Sequence, residues 1–367
     1  MGNHSSGRHY LQIPGPTNIP DVVLTALAKP TIDHRSEEFG KLGLEILFNL
    51  QRVFKTTNSV ILFPASGTGA WEASLVNVLN PGDTILIYET GHFAAQWRRL
   101  AINLGFEVQV IESDWRSPVD PARISEHLKS DINQDIKAVC IVHNETSTGV
   151  TSDIPGIRGA IDETKHQALL LVDTVSSLAS IDYKHEEWGV DVSIGASQKG
   201  LMLPPGLSFN AVSDRALKCH AISQFPKSYW NWTEIINHNE KGFFPYTPAT
   251  NLIFGLQESL KLILDVIGLE NVINKHARHA AATREAVRHW GLELVCQNPK
   301  AFSNTVTAVM TPDKFSANQL QEKILDQFNM SLGIGLGKFN DQVFRIGHLG
   351  ELNDLSLTGV LSGICLL

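Results

Sequence analysis

Residues 168–177 read ALLLVDTVSS, five consecutive apolar side chains that run into Asp173 and then into small polar residues. A strand with one wet face alternates apolar and polar residues. An unbroken apolar run suits a strand covered on both faces, as in a parallel sheet flanked by helices. Other short β-branched runs, several of them continuously apolar, occur at Val60–Phe63, Thr84–Tyr88, Phe106–Ile111, Ala138–Val142, Val192–Ile194 and Phe209–Val212. Helical patterns separate most of them. Trp71, Leu75, Val78 and Leu79 share one helix face, and Asn80-Pro81-Gly82-Asp83 stops that helix before the next strand. The alternation predicts an α/β fold with a large, mostly parallel seven-stranded sheet.

Past Pro248 the rhythm changes. Helices are expected at Leu252–Ile267, Asn271–Trp290 and Ala317–Phe328, strands at Thr305–Met310 and Val343–Ile346, and a closing helix from Leu352 to the chain end at Leu367. This divides the chain into an irregular N-terminal arm (1–20), a large domain (21–248) and a smaller C-terminal α+β domain (249–367). Gly333-Ile334-Gly335-Leu336-Gly337 reads as a flexible loop, and Trp230-Asn231-Trp232 as a local packing cluster.

Composition narrows the function. The 367 residues are 43% hydrophobic, enough for a core and wrong for disorder. Thirty Lys+Arg against 38 Asp+Glu give a net charge of −8, which argues against a nucleic-acid partner. The four cysteines form no CxxC pair, so neither a disulfide framework nor a zinc site is expected. The 14 histidines show no paired-ligand spacing, so no metal is expected. No apolar run approaches the ~18 residues of a membrane span, and a cytoplasmic protein without a membrane partner is expected. Gly2 and Ser6 match an N-acylation pattern that a polar tail also meets by chance.

Four constellations could carry chemistry. Pro64-Ala65-Ser66-Gly67-Thr68-Gly69 joins a buried strand to a helix, where small residues and free N–H groups favour an anion such as phosphate. Asp173 sits at the C-terminal end of a buried strand, where open α/β sheets bind ligands. Ser197-Gln198-Lys199-Gly200 places a lysine beyond another strand; if desolvated, it can attack a carbonyl and form a Schiff base. Arg345, inside the apolar strand Val343–Ile346, offers a planar fork suited to a carboxylate. Singly, each has an ordinary reading: a strand–helix turn, an N-cap, a solvated lysine, a structural ion pair. Together they meet the needs of pyridoxal phosphate chemistry: an anion cradle, an acid for the ring nitrogen, an imine-forming lysine and a carboxylate clamp.

The segments PGPTNIP (14–20), TIDHRS (31–36), FPASGTGAWE (63–72), HNETSTGVTSDI (143–154), GASQKGLMLPPG (195–206), GFFPYTP (242–248) and VFRIGHLGELN (343–353) resemble the class V aminotransferases. More narrowly they are similar to the alanine/serine/aspartate–glyoxylate group. The resemblance implies a pyridoxal phosphate-dependent transferase of fold type I and transfer of an amino group from a small L-amino acid to glyoxylate. It implies that Lys199 attaches the cofactor, that Asp173 partners the pyridinium, and that Ser66, Gly67, Thr68 and Gln198 bind the phosphate. Phe93 would stack on the ring where alanine–glyoxylate enzymes carry Trp. Thr146 would approach the cofactor's phenolic oxygen or the substrate. Arg345 would bind the α-carboxylate, with Gly15, the partner's His34 and the partner's Arg35 shaping the pocket. Tyr246 and Thr247 would reach the neighbouring subunit's phosphate, implying a homodimer.

Two rival readings stand beside this one. A lyase or cysteine desulfurase of the same fold needs a nucleophilic thiol on a loop, for which only Cys296 is left: Cys140 falls in a strand, Cys219 follows the last sheet strand, and Cys365 is terminal. A nucleotide-dependent oxidoreductase would explain the sheet and the glycine turn, but Gly67-x-Gly69 lacks the third glycine, Glu72 standing in its place.

Overall fold

A computed structural model describes residues 8–366; the acylation match at Gly2 and Ser6 lies outside the described residues. In chain order, β1 (Tyr10–Gln12), α1 (Asp21–Leu27) and α2 (Glu37–Phe54) lead into β2 (Val60–Phe63), α3 (Gly67–Val78), β3 (Thr84–Glu89), α4 (His92–Asn103) and β4 (Glu107–Glu112). Next come α5 (Pro121–Ser130), β5 (Ile136–Val142), the short hairpin β6 (Asn144–Glu145) and β7 (Val150–Thr151), and α6 (Ile154–Glu163). The strands β8 (Leu169–Asp173), β9 (Val192–Ala196) and β10 (Ser208–Val212) are followed by α7 (Asp214–Ile222) and α8 (Trp232–Asn239). The remainder comprises α9 (Thr250–Lys261), α10 (Leu269–His289), β11 (Val306–Met310), α11 (Ala317–Phe328), β12 (Met330–Ile334), β13 (Val343–Gly347) and α12 (Asp354–Cys365).

The seven expected strands form one sheet in the order β2-β10-β9-β8-β5-β3-β4. Only β10 runs antiparallel to its neighbours, β2 and β9. Successive residues of each strand enter different cores, because side chains alternate across a strand. Ile85 and Ile87 join Trp71, Leu75 and Trp97 of α3 and α4, whereas Leu86 and Tyr88 join Ile46 and Leu50 of α2. Full burial of each such side chain is worth about 1.5–3 kcal/mol, which is why the inner strands carry no polar face; the edge strand β4 is the exception, exposing Glu107, Gln109 and Glu112.

A second sheet, β1-β12-β13-β11, holds the C-terminal part. It corrects two expectations. The N-terminal arm is not irregular throughout: Tyr10, Leu11 and Gln12 pair in parallel with Met330, Ser331 and Leu332. Gly333 and Ile334 are not loop but the end of β12, paired with Arg345 and Phe344. The helix expected over Leu252–Ile267 is α9 prolonged by a π-helical turn at Leu262–Val266. The tryptophan cluster does pack locally, Trp230 lying edge-on to Phe63 with Trp232 fully buried.

Candidate active site

Five strands of the large sheet deliver residues to one cavity of about 260 Å³ beyond their C-terminal ends. Ser66, Gly67, Thr68 and Trp71 arrive after β2, Phe93 after β3, Asn144 and Thr146 after β5, Asp173, Val175 and Ser176 from β8, and Gln198 and Lys199 after β9. Gly15 enters from the N-terminal segment. Nine positions singled out in the sequence thus line one space: Gly15, Ser66, Gly67, Thr68, Phe93, Thr146, Asp173, Gln198 and Lys199.

Ser66 is the N-cap of α3, yet its side chain makes no capping hydrogen bond. The first N–H groups of the helix therefore lack an internal partner and carry the positive end of its dipole. The Gln198 amide oxygen is buried without a hydrogen-bond partner among the described residues. Both Asp173 oxygens accept, Oδ2 from Trp71 Nε1 at 2.9 Å and Oδ1 from the Val175 amide at 2.7 Å. Burial nonetheless pushes its carboxyl up to about 7, so it calls for a cation or a proton. Trp71, read from sequence as a core residue, is therefore also the group that orients this acid.

Lys199 is 8% exposed, and its ammonium donates to the Pro14 carbonyl. Burial, with a smaller push from Arg345, brings it down to about 8, within reach of the neutral, nucleophilic form. A lysine whose folded pKa lies below its unfolded value weakens the fold most while both states hold the proton. That cost, about 3 kcal/mol for the shift from 10.5, applies below about pH 8 and fades as pH climbs toward 10.5. Thermal melts of the cofactor-free protein should therefore show Lys199→Met several degrees more stable than wild type at pH 7, with the gain shrinking at pH 10.

Gly15 adopts φ +110°, and a Cβ there would lie 2.5 Å from Lys199 Cδ and 2.6 Å from Nζ. Alanine would both strain the backbone and push the amine from its place. Gly15→Ala is expected to lower kcat by about 10²-fold, the scale of a misplaced reacting group. Steady-state kinetics on folded protein checks it.

Arg345, central in β13, is 7% exposed and has no carboxylate within ion-pairing distance among the described residues. Its hydrogen bonds go to carbonyls: Nε to Ile334 at 2.7 Å and Nη1 to Thr146 at 3.0 Å. Burial lowers it to about 10, still a cation at neutral pH. Beside Thr146, the fully buried Glu145 accepts from the Phe93 and Ala94 amides at 3.1 and 3.2 Å and from Ser147 Oγ at 2.6 Å. It thereby satisfies the start of α4 and holds Phe93 at the cavity. Nothing in the sequence marked it.

His34, Arg35, Tyr246 and Thr247 do not join this cavity. They line another, of about 430 Å³, with His238, Phe243, Phe244 and Pro245. Tyr246 Oη donates to the Leu62 carbonyl at 2.9 Å, and His34 Nε2 is buried without a partner among the described residues. Cys296, the thiol left for desulfurase chemistry, is buried and donates to the Asn298 and Ala301 carbonyls; burial pushes it up, away from the reactive thiolate.

A mostly parallel sheet with an uncapped helix start, a buried acid and a buried, easily deprotonated lysine around one cavity defines a pyridoxal phosphate enzyme, and the residues present fit that group. Comparison with known proteins agrees. The family model for aminotransferase class V matches residues 9–335. Serine–glyoxylate aminotransferase of Arabidopsis thaliana is 44% identical over 98% of this chain and 90% of its own length. L-aspartate–glyoxylate aminotransferase of Paracoccus denitrificans is 42% identical over 95% and 88%. The crystal structure of alanine–glyoxylate aminotransferase from Nostoc sp. superposes with a TM-score of 0.92 at 28% identity, covering 99% of this chain and 96% of that one. The chain belongs to the class V aminotransferases.

Proposed function

We propose that this aminotransferase passes the amino group of a small L-amino acid, serine or aspartate ahead of alanine, to glyoxylate, yielding glycine and a 2-oxo acid. The observation that carries this reading is Arg345: a buried cation held by two carbonyls, with the Glu145 carboxylate near enough to favour its charge but no ion pair made to any acid among the described residues, beside the lysine whose proton affinity it lowers. Such a group is built to receive a carboxylate. The names of the two relatives above supply glyoxylate as acceptor and serine or aspartate as donor.

Bound pyridoxal phosphate supplies an electron sink for negative charge at the substrate's α-carbon. Ser66, Gly67, Thr68 and Gln198 would hold its phosphate, Phe93 would flank its ring, and Asp173 would balance a protonated ring nitrogen. Thr146 borders the substrate and fixes Arg345 through its carbonyl. Lys199 Nζ takes the proton from the substrate's α-carbon, a task for which an amine near pKa 8 is matched to neutral pH.

The reading includes a homodimer, in which His34, Arg35, Tyr246 and Thr247 complete the neighbouring subunit's site. Support comes from their separation from the cavity and from the exposed Val22, Leu24, Leu44 and Phe48 on α1 and α2. It also places the protein in the cytoplasm. No helix among the described residues is long and apolar enough to cross a membrane, and the buried thiols Cys140 and Cys296 are unpaired, as a reducing compartment allows.

The test is a half-reaction. The yellow protein, mixed with serine, aspartate or alanine alone, should lose its colour with the true donor and regain it when glyoxylate is added, releasing glycine. Colour that glyoxylate fails to restore would contradict the proposal, and sulfide released from cysteine would favour the desulfurase reading.

A further inference from the structure

The turn after β4 and the loop between β12 and β13 meet next to His92, the residue before the cavity-lining Phe93. Trp115, in that turn, has φ +65°, is 4% exposed, and keeps its indole Nε1 buried without a partner among the described residues. A bulky residue in left-handed backbone with an unmet donor is disfavoured twice over, so its place depends on what the ring touches. It touches the loop. Lys338 Nζ lies 4.6 Å from the ring centre and the Phe339 ring stands edge-on at 6.2 Å. Gly337, at φ +56°, fits so tightly that a Cβ would come within 2.9 Å of the indole and 3.3 Å of His92 Nδ1.

Both flanks of this contact are tied down. Arg116, next to Trp115, donates to the carbonyls of Val295 at 2.8 Å and Leu294 at 3.0 Å, which anchors the turn. At the other end the loop springs from Ile334, whose carbonyl accepts from Arg345 Nε. Two carbonyls thus aim the guanidinium, and one of them belongs to the root of the loop that Trp115 grips.

We propose that Trp115 is a positioning residue for the substrate carboxylate: by clamping the β12–β13 loop it fixes the Ile334 carbonyl and, through it, the direction of Arg345. The inference rests on the reading of Arg345 as the carboxylate site. It places the selectivity of that site partly in a residue that touches neither substrate nor cofactor.

The experiment measures glycolate, a two-carbon carboxylate, binding to the cofactor-loaded enzyme by calorimetry, alongside steady-state kinetics. Trp115→Ala should weaken glycolate and raise KM for donor and oxo acid alike by about tenfold, with kcat changed less than about twofold and the cofactor's absorbance unaltered. Trp115→Phe should restore most of the affinity. Gly337→Ala, which disturbs the same contact from the loop side, should reproduce the loss and decides the matter if Trp115→Ala does not fold. Wild-type glycolate affinity in the folded variants, or a parallel collapse of kcat and cofactor absorbance, overturns the proposal. Arg345→Ala serves as the reference: if it alone loses glycolate, the clamp is wrong and the carboxylate reading stands. If it binds glycolate like wild type, the carboxylate reading itself has failed.

Discussion

Lys199→Ala should lower transamination by at least roughly 10⁴-fold, the upper range of what a positioned acid–base group contributes, while leaving the protein folded. The lysine is buried, its ammonium donates to the Pro14 carbonyl and to no other group among the described residues, and Gly15 is shaped to let it lie there. Among the described residues no other amine lines the cavity, so no described neighbour can take over proton transfer at the α-carbon. Truncation also removes a desolvated charge, so the melting temperature should hold or rise. Because the missing function is that of a primary amine, added methylamine should restore part of the rate. Turnover measured with and without the amine, beside a thermal melt, separates loss of chemistry from loss of fold. A folded variant with normal turnover would remove Lys199 from the mechanism.

Asp173→Asn is expected to lower kcat by about 10²–10³-fold, as removal of one preorganised electrostatic group does elsewhere. Asparagine can still accept from the Val175 amide through its oxygen. Its NH₂ group then faces Trp71 Nε1, donor against donor, at a cost of about 1–3 kcal/mol. More important, the negative charge that would balance a protonated ring nitrogen is gone. The sign of the pH effect follows from the pKa near 7. Above it the carboxylate is charged and attracts the cofactor; as pH falls through 7 the carboxyl takes up a proton and the attraction fades. Wild-type cofactor affinity should therefore drop below pH 7, whereas that of Asp173→Asn should be weaker and flat. Equilibrium titration of cofactor across that range checks both.

The large sheet was legible because strands buried on both faces favour apolar runs, unbroken in several of the seven, and all seven expected strands lie within two residues of the observed ones. That Asp173 and Lys199 would line one cavity was legible for a related reason: each follows a predicted strand, where an open sheet places its ligands. What the sequence concealed depends on distant partners. Tyr10–Gln12 is too short to read alone and becomes a strand only by pairing with Met330–Leu332. The glycines around Ile334 suggested a loop, whereas Gly333 lies in β12, paired with Arg345, and is glycine because a side chain there would strike Pro14 and Arg345. The proposed dimer face could not be read from periodicity, because a helix surface awaiting a second chain resembles any partly apolar face. Glu145 and Trp115 escaped because nothing local marks them: one serves the start of a helix 52 residues away, the other a loop on the second sheet.

The claim on which the rest depends is that the cofactor is carried by Lys199. Borohydride reduction of the yellow protein, followed by proteolysis and mass spectrometry, tests it directly. A single pyridoxyl group on the peptide containing Lys199 is the predicted result; a label on any other lysine, or a colourless protein that takes up none, would contradict the account.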